Sequence, residues 1–334
     1  MSLDLVGGKA SSVSRLVSLG APVPAAFALT TRAHDEFSAA HGLPRRVAEI
    51  TPDDLPRLRD TIMSAPLPAS IALDLARGYR TFAERMGADL SLAVRSSGTA
   101  EDSAAFSFAG LHDTVLDVRT LPGLERAVRQ CWASLWSDRA VAYRLDRGLA
   151  DEASDIAVVV QQLVRSDVSF IAFTSDPVTL DTGRIVIDAA WGLGESIVSG
   201  LVVPDHITIG DDGHMLDYTA GDKHLMVIPG EGPEFGTREV PVPRALRRQP
   251  VLTHEQAREI ARLARDLSRK LGFETDLEGG IAGGAIHLFQ ARPITTLETV
   301  PIAIERSADF RVGDMLPIAG AFVAPVSKLP RSRT

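Results

Sequence analysis

The chain has 334 residues and more acidic than basic side chains, 43 Asp and Glu against 35 Lys and Arg, which gives a formal net charge of −8. Its 45% hydrophobic and 23% charged residues are ordinary for a globular protein and exclude a disordered chain or a coiled coil. At roughly 100 to 200 residues per domain, the length predicts two domains or one domain with two lobes, and the acidic charge argues against a nucleic-acid-binding protein.

The number of cysteines and the N-terminal sequence indicate where in the cell the protein is expected to be. The single cysteine, Cys131, cannot form an internal disulfide or a cysteine-based zinc site. The N-terminus has no apolar segment after a basic one, and no apolar run reaches the roughly 18 residues of a membrane-spanning helix. These features predict a soluble protein of the cytoplasm.

The first predicted element is a glycine loop that leads into a short helix. Gly7, Gly8 and Lys9 precede apolar residues at helical spacing, and the helix ends at Gly20. The free N–H groups of a first helical turn, together with a lysine, suit a polyphosphate. Because the spacing differs from that of a P-loop, a structural turn with a solvated lysine is an equally good interpretation.

Two helices and a strand follow, so the N-terminal part is predicted to be mixed α/β. Thr51 caps one helix, and Ile71 and Phe82 lie on the apolar face of the next. Arg95 then leaves a predicted strand and enters a loop of small polar residues that runs to Gly110. A planar guanidinium can bind two phosphate oxygens there, and the alternative is an ordinary hydrophilic loop.

Short apolar runs in the middle of the chain predict buried strands separated by polar turns. The runs span residues 156–160, 170–173 and 185–187. A looser stretch rich in Pro and Gly extends from Pro229 to Pro250. Thr253 and Gln256 then form a predicted capping box, which opens a helix that ends at Gly272.

A hairpin is predicted after this helix. Its parts are Phe273–Glu278, a glycine turn with Gly279, Gly280, Gly283 and Gly284, and a return strand Ile286–Arg292. Side chains alternate along a strand, so Asp276 and Glu278 share one face, and Gln290 and Arg292 share a face of the return strand. The oxygen atoms that converge there suit Mg²⁺ bound together with substrate phosphates. The alternative is a solvent-facing hairpin with charged residues.

Several common sites are excluded by their spacing. The segment Trp191–Glu195 lacks the third glycine of a dinucleotide-binding fingerprint. The eight histidines never stand at metal-binding spacing, and no GxSxG nucleophile motif occurs. The last 34 residues, Pro301–Thr334, show no sustained period and are predicted to be a linker rather than a domain.

Taken in order, these segments resemble the nucleotide-binding domain shared by phosphoenolpyruvate synthase, pyruvate phosphate dikinase and rifampin phosphotransferase. The matching blocks are LVGGKASS, PVPAAFALTT, VRSSGTAED with SFAG, SLWSDRAVAYR, VVVQQLVRSDVS with FTSDPVT, WGLGESIVSGLVVPD, and DLE with LFQARPITTL. The resemblance implies an α/β (α+β) fold of the ATP-grasp type, in which two lobes hold ATP in the cleft between them. The implied lobes are residues 1–152 and 153–298, followed by a linker-like tail, 299–334.

The resemblance also implies which residues bind the nucleotide. Lys9 and Arg95 would contact the triphosphate, and the loop that ends at Gly110 would close over the phosphates. Adenine would be bound by the backbone of Gln162, Leu163 and Val164. These roles place the nucleotide against both halves of the chain.

For the hairpin, the resemblance implies a metal site. Glu278 and Gln290 match the Mg²⁺ ligands of the family, and Asp276 supports or joins them. Arg292 matches the arginine of the QxRP motif. Together with Lys9 and Arg95, Arg292 is therefore expected to supply the positive charge that catalysis needs.

The activity implied by the resemblance is transfer of the β-phosphoryl group of ATP to a histidine on a swivelling domain, which carries it to a small-molecule acceptor on a third domain. The products from ATP would be AMP and either phosphate or pyrophosphate. None of the eight histidines has the sequence context of that swivelling histidine, so we expect a fragment or one subunit of a split system. The alternatives are a catalytically incomplete, nucleotide-binding regulatory subunit and a direct ATP-dependent kinase of a small molecule.

Three departures from the family pattern concern positions near these motifs. Gly279 stands where an aromatic residue usually follows the DxE glutamate, and Phe170 stands where a glycine usually follows the SDVS stretch. Ala25 and Ala26 replace a proline–glycine pair. The phosphate and metal positions are intact, which favours retained nucleotide binding.

Overall fold

Two large β-sheets carry the fold, and the first combines strands from the N-terminal half of the chain with β13 from near its end. The computed structural model describes residues 2–99, 114–149, 155–231 and 236–294, and the backbone of residues 321–324. The helices are α1 (Leu3–Ser18), α2 (Thr31–His41), α3 (Leu55–Ser64), α4 (Ala69–Met86), α5 (Leu121–Ala133), α6 (Asp138–Asp146), α7 (Glu195–Val198) and α8 (His254–Leu271). The strands are β1 (Ala26–Leu29), β2 (Leu92–Gly98), β3 (Thr114–Val118), β4 (Ile156–Gln162), β5 (Val168–Phe173), β6 (Arg184–Trp191), β7 (Asp205–Gly210), β8 (Met215–Thr219), β9 (Leu225–Pro229), β10 (Thr237–Pro241), β11 (Thr275–Ala282), β12 (Ala285–Pro293) and β13 (Ala321–Ala324).

The first sheet has the strand order β13-β1-β4-β2-β3 and packs one face against α2, α3, α4 and α5. Its apolar core includes Val94 and Val158 from the strands, Leu75 from α4, and Trp132 from α5. Alternation along β2 and β4 sends every second side chain to the opposite face, away from these helices. The predicted helices around Leu58 and Ile71 are confirmed as α3 and α4, and Thr51 forms the predicted cap, a capping box with Asp54.

The second sheet is antiparallel throughout, with the order β12-β11-β5-β6-β7-β8, and α8 covers one of its faces. The apolar stripe of α8, which includes Ile260 and Leu267, is buried there. The predicted capping box of Thr253 and Gln256 is present, and Gly272 ends the helix in the left-handed conformation. The strands predicted in the middle of the chain are confirmed as β4, β5 and β6.

Helix α1 lies between the two sheets. Val6 and Val13 pack against the free face of the first sheet, whereas Leu16 belongs to the core of the second. Ser12 Oγ donates to Ala291 O (2.5 Å) and accepts from Ala291 N (2.9 Å), which ties the helix to β12. A single helix therefore holds both sheets in place.

The glycine loop predicted at the start of α1 is a break inside the helix. Residues before Gly7 already form a helical turn, and Gly7 interrupts it with φ 70° and ψ 178°. A Cβ atom on Gly7 would lie 2.1 Å from Ser97 O, so glycine is required both by the backbone conformation and by the close approach of β2. Sequence spacing could not show this contact with a strand about ninety residues away.

The predicted glycine turn of the hairpin is shorter than expected. Gly279 and Gly280 continue β11, and the turn consists of Gly283 and Gly284, which both have positive φ. A Cβ atom on Gly279 would lie 2.3 Å from the Phe170 ring, and one on Gly280 would lie 2.2 Å from a serine hydroxyl. These strand glycines serve close packing rather than chain reversal.

The stretch predicted to be loose between Pro229 and Pro250 contains a strand. β10 pairs with β9 as a separate two-stranded sheet, which reaches the first sheet where Gly236 N donates to Leu116 O (3.2 Å). In the predicted linker, β13 pairs in parallel with β1. Within the described residues, no helix has both the length and the apolarity that crossing a membrane requires.

Candidate functional site

The hairpin of β11 and β12 brings four polar side chains together as predicted. Asp276 is paired with Arg292 across the strands, and Glu278 is paired with Gln290. Arg292 Nε donates to Asp276 Oδ2 (2.6 Å), and Arg292 Nη2 lies 3.6 Å from Glu278 Oε1. The register shifts between Glu278 and Gly279, so a β-bulge directly follows the glutamate. Bulges of this kind commonly redirect a side chain next to a functional site.

Arg95 reaches this hairpin from the other sheet. It lies on β2 with its side chain on the face opposite Val94, which is buried in the first core. Arg95 Nη2 donates to Glu278 Oε2 (2.9 Å) and to Gln290 Oε1 (3.1 Å). The Arg95 and Glu278 side chains are 13% and 19% exposed. The first and second sheets therefore meet at a largely buried ion pair.

Ser97 fixes the break in α1 that precedes Lys9. Its hydroxyl donates to Val6 O (2.7 Å) and accepts from Ala10 N (3.1 Å), so it links the two sides of Gly7. Ser97 shares the face of β2 that carries Arg95, because the two residues are separated by one position. This hydroxyl orients the turn on which Lys9 stands, close enough for Lys9 to act electrostatically on Glu278.

The electrostatics of the site centre on Glu278. Burial by itself would raise the pKa of the carboxyl, but the positive charges of Arg95, Arg292 and Lys9 outweigh it and hold the pKa below its ordinary value. A hydrogen bond from Arg95 contributes in the same direction. Glu278 is therefore ionised at neutral pH, and the expected cationic residues converge on one carboxylate.

The segment expected to bind adenine lies at the end of β4. Gln162 N donates to Ala25 O (2.8 Å) and Leu163 N donates to Ser91 O (2.9 Å), so both N–H groups are already used within the protein. Val164 O accepts from Ser166 N (2.9 Å). An adenine contact at this segment would have to use its other backbone groups.

The expected phosphate loop lies mostly outside the described residues, and Gly110 is among those not described. The strands that flank this part of the chain are β2 and β3, which pair Arg95 with Thr114. Thr114, the first described residue after this part of the chain, is thus the cross-strand partner of Arg95, whose guanidinium contacts Glu278.

Gln161 is a candidate that reasoning from the sequence missed. It is paired with Ala93, so its side chain shares the face of Arg95, and it is 2% exposed. Its Nε2 atom has no hydrogen-bond partner among the described residues. A buried polar group of this kind requires a partner or a role. In the sequence, Gln161 can be noticed because it is the first polar residue after three valines, Val158–Val160.

The hairpin offers oxygen donors that fit a hard divalent cation. Glu278 and Asp276 supply carboxylate oxygens, and Gln290 supplies an amide oxygen, which matches the preference of Mg²⁺. Over the described part of the chain, no cluster of three or more His, Cys, Asp or Glu residues suited to a metal is found. The fit therefore rests on two carboxylates and an amide, with further ligands to come from outside the protein.

Comparison with known proteins identifies relatives over most of the chain. The sequence profile described as "Pyruvate phosphate dikinase, AMP/ATP-binding domain" matches residues 3–308. The chain is 40% identical over 297 residues to the prodigiosin synthesizing transferase PigC of Serratia marcescens, which covers 87% of this chain and 32% of that protein. It is 38% identical over 320 residues to a rifampicin phosphotransferase of a Streptomyces species. The alignment covers 92% of this chain and 36% of that protein.

A third relative comes from an archaeon, and a solved structure shows a weaker similarity. The chain is 35% identical over 308 residues to a probable phosphoenolpyruvate synthase of Methanothermobacter thermautotrophicus, covering 88% of this chain and 44% of that protein. The solved structure is that of C-terminally truncated Cdc123 from Schizosaccharomyces pombe, which is 12% identical in sequence. The superposition covers 86% of this chain and 87% of that one, and its TM-score of 0.31 is too low for an argument about the fold.

The chain spans between 32% and 44% of the length of these curated relatives. The match extends from α1 through the hairpin of β11 and β12 and includes every block of the resemblance. The expected family is thus confirmed: the chain belongs to the AMP/ATP-binding domain family of pyruvate phosphate dikinase, together with domains of phosphoenolpyruvate synthases and rifampicin phosphotransferases.

Proposed function

We propose that this chain is the ATP-binding component of a dikinase-type phosphotransferase. It passes the β-phosphoryl group of ATP to a histidine on a separate swivelling domain or subunit, and the γ-phosphoryl group passes to water or to phosphate. The products from ATP are AMP and either phosphate or pyrophosphate. The observation that carries the proposal is the contact of Arg95, from the first sheet, with Glu278 and Gln290 of the second. A triphosphate at this contact would meet positive charge from both sheets.

The proposed architecture is an ATP-grasp fold. We assign residues 1–152 to one lobe, residues 153–298 to the other, and residues 299–334 to a linker to further domains, with β4 and β13 returning to the sheet of the first lobe. The nucleotide binds in the cleft between the lobes, with its phosphates near Arg95. Support comes from the position of α1, which packs on both sheets and carries Lys9 at its glycine break.

The side chains of the site do mainly electrostatic work. Phosphoryl transfer asks the protein for alignment and charge neutralisation rather than covalent chemistry. Lys9, Arg95 and Arg292 would bind the phosphate oxygens, and Gln161 offers a buried amide on the same face as Arg95. The loop that ends at Gly110 would cover the phosphates, and the segment 162–164 would bind adenine.

Magnesium is the proposed metal of this site. Glu278 and Gln290 would hold it, and Asp276 would support them. When bound, Mg²⁺ supplies charge neutralisation on the phosphates of the nucleotide. The protein's own part is to keep Glu278 ionised, which Arg95, Arg292 and Lys9 achieve by lowering its pKa against the effect of burial.

The final acceptor is proposed to be a small molecule bound by another domain or subunit. The named relatives include a rifampicin phosphotransferase and a probable phosphoenolpyruvate synthase, and this chain matches less than half of either. We therefore propose two partners, a phosphohistidine-carrying domain and an acceptor-binding domain.

The test begins with calorimetry of Mg·ATP binding to the full chain. We expect binding by the wild type, loss of binding in Arg95→Ala, and no change in Arg248→Ala, a matched arginine whose 79% exposed side chain pairs with Asp222. Equal binding by the wild type and Arg95→Ala would remove the main support for the proposed site.

Turnover is tested by adding a histidine-bearing swivelling domain of the family and separating the nucleotides by chromatography. The expected product is AMP together with a phosphorylated histidine on the added domain. Formation of ADP would instead identify a kinase that uses the γ-phosphoryl group. Binding without turnover in the presence of a competent partner would identify a regulatory subunit.

A further inference from the structure

The guanidinium of Arg95 occupies the oxygen atoms that the proposed metal would need. Arg95 Nη2 is hydrogen-bonded both to Glu278 Oε2 and to Gln290 Oε1. The other carboxylate oxygen, Glu278 Oε1, lies 3.6 Å from Arg292 Nη2. Each oxygen of the glutamate thus faces a cation that belongs to the protein itself.

A metal ion on Glu278 Oε2 and Gln290 Oε1 would compete with the guanidinium of Arg95. The guanidinium already donates to both oxygens, and two cations at such distances repel each other in a partly buried site. The guanidinium is, however, well suited to phosphate oxygens, which it can bind with two parallel hydrogen bonds. Arg95 therefore has two competing sets of partners, the hairpin and a triphosphate.

We propose that Arg95 and a divalent cation exchange places on Glu278 and Gln290. The cation loads when the phosphates of the nucleotide draw Arg95 away from the hairpin, so metal binding depends on nucleotide binding. This exchange rests on the proposed function, since it needs a triphosphate at the contact between the sheets. Without nucleotide, positive side chains of the protein already face both oxygens of Glu278, which disfavours binding of the metal alone.

Arg95, rather than Arg292, is the side chain that exchanges. Arg292 belongs to the same hairpin as its partners, and its Nε is held by Asp276 Oδ2 at 2.6 Å. Arg95 belongs to the first sheet, whereas both of its partners belong to the second. Its release therefore breaks a contact between the sheets and couples the exchange to their relative position.

The exchange is tested with Mn²⁺ alone, in the absence of nucleotide, by electron paramagnetic resonance titration of the full chain. The matched variants are Arg95→Met and Lys9→Met, each of which removes one positive charge that acts on Glu278. We expect Arg95→Met to bind Mn²⁺ about tenfold more tightly than the wild type, the scale of one charge-assisted hydrogen bond. Lys9→Met should gain about threefold or less, because Arg95 keeps its hydrogen bonds to Glu278 and Gln290 in that variant.

Two results would overturn the exchange. One is an Mn²⁺ affinity of Arg95→Met that is equal to or weaker than that of the wild type. The other is an equal gain in Lys9→Met, which would mean that charge alone matters. Arg95→Gln, which keeps a polar side chain, is measured in parallel, and melting temperatures identify any variant that does not fold.

Failure of the exchange and failure of the proposed function give different results. If the wild type binds Mg·ATP in calorimetry but Arg95→Met gains no Mn²⁺ affinity, the exchange is wrong and the nucleotide site stands. If the wild type binds no Mg·ATP, the proposed function is wrong, whatever the Mn²⁺ titration shows.

Discussion

Two of the protein's ion pairs, Lys223 with Asp205 and Arg95 with Glu278, differ in how completely they are buried. Lys223 and Asp205 are both 0% exposed, and the carboxylate of Asp205 also accepts from Gly221 N, Val251 N and Tyr218 OH. Every partner of this carboxylate lies on the second sheet or its loops. Lys223 and Asp205, called the sealed pair below, thus have several fixed hydrogen-bond partners inside the protein.

The pair of Arg95 and Glu278 is partly exposed and joins two sheets. Three positive side chains act on one carboxylate, so more positive charge is present than Glu278 needs. The comparison indicates that the degree of burial distinguishes an ion pair that is part of the fold from one that can take part in ligand binding. Loss of either member of a buried pair leaves an uncompensated charge inside the fold, whereas a carboxylate near several cations can exchange one of them for a ligand.

Removing the sealed pair is expected to have the largest effect. Asp205→Ala leaves the Lys223 ammonium buried without its carboxylate and deprives Gly221 N and Val251 N of their acceptor. We expect the free energy of unfolding to fall by about 3–5 kcal/mol, the range for breaking one buried ion pair. Urea denaturation followed by circular dichroism measures this change.

The control for this prediction is an exposed ion pair. Arg248→Ala removes a side chain that is 79% exposed and lies 3.1 Å from Asp222. Its effect on unfolding is expected to stay within about 0.5 kcal/mol. If Asp205→Ala cost no more than this control, enclosure would not distinguish the two kinds of pair.

The packing beneath Glu278 gives the second prediction. Phe170 and Gly279 are cross-strand partners. Where the family pattern has a glycine on β5 and an aromatic residue on β11, this chain has the aromatic residue on β5 and the glycine on β11. The ring is 1% exposed and fills the space over Gly279. We expect Phe170→Ala to lower the free energy of unfolding by about 3 kcal/mol through the cavity it leaves. Urea denaturation again provides the measurement.

A double variant sharpens this prediction. Gly279→Phe alone should also destabilise, because its Cβ would lie 2.3 Å from the Phe170 ring. Phe170→Gly and Gly279→Phe are measured singly and combined. In the combined variant the ring returns to the usual strand, so the combined loss should be smaller than the sum of the two single losses. The rescue is expected to be partial, since His287 O would lie 2.8 Å from the new Cβ. Strict additivity would argue against compensation.

The partly exposed pair should respond to mutation in function rather than in stability. Glu278→Gln removes the carboxylate but keeps the shape of the side chain. We expect Mg·ATP affinity to fall at least about tenfold, while the free energy of unfolding changes by about 1 kcal/mol or less. Calorimetry and urea denaturation of the same sample measure both. A loss of stability as large as that of Asp205→Ala, with affinity unchanged, would reverse the comparison.

The smallest effect is expected from pH. The folded pKa of Glu278 lies below its ordinary value, so the carboxylate contributes stability that is fully present above the unfolded pKa, near about 4.3 for a glutamate. This contribution is lost as the pH falls through the folded pKa. The difference in unfolding free energy between the wild type and Glu278→Gln should therefore shrink below about pH 4. A difference that does not change with pH would contradict the lowered pKa.

Local signals in the sequence predicted several elements, among them α3, α4, α8 and the hairpin of β11 and β12. The capping boxes at Thr51 and Thr253 and the terminal Gly272 act within a few residues, so they can be identified without knowing the fold. The alternation that places Asp276 and Glu278 on one face of a strand is equally local. These features and the family resemblance gave the hairpin and its four polar side chains correctly.

The predictions from the sequence were wrong where a contact with a residue far away in the chain determines the local structure. Gly279 and Gly280 were assigned to a turn because glycine commonly marks one, but the rings and hydroxyls above them require glycine within a strand. Gly7 was assigned to a loop before the helix, although the approach of Ser97 O breaks the helix at that point. Gln161 could be noticed as a polar residue after three valines, but nothing local showed that its Nε2 atom would be buried without a hydrogen-bond partner among the described residues.

The sequence alone determined the residue types of the site, the strand alternation that orients them and the family to which the chain belongs. The tertiary structure decided which charges meet, because Lys9, Arg95 and Glu278 come from elements separated by many residues and joined through α1. Whether a carboxylate is sealed, as Asp205 is, or shared among surplus cations, as Glu278 is, depends on burial and on the partners that other strands bring. Spacing along the chain carries no information about those long-range contacts.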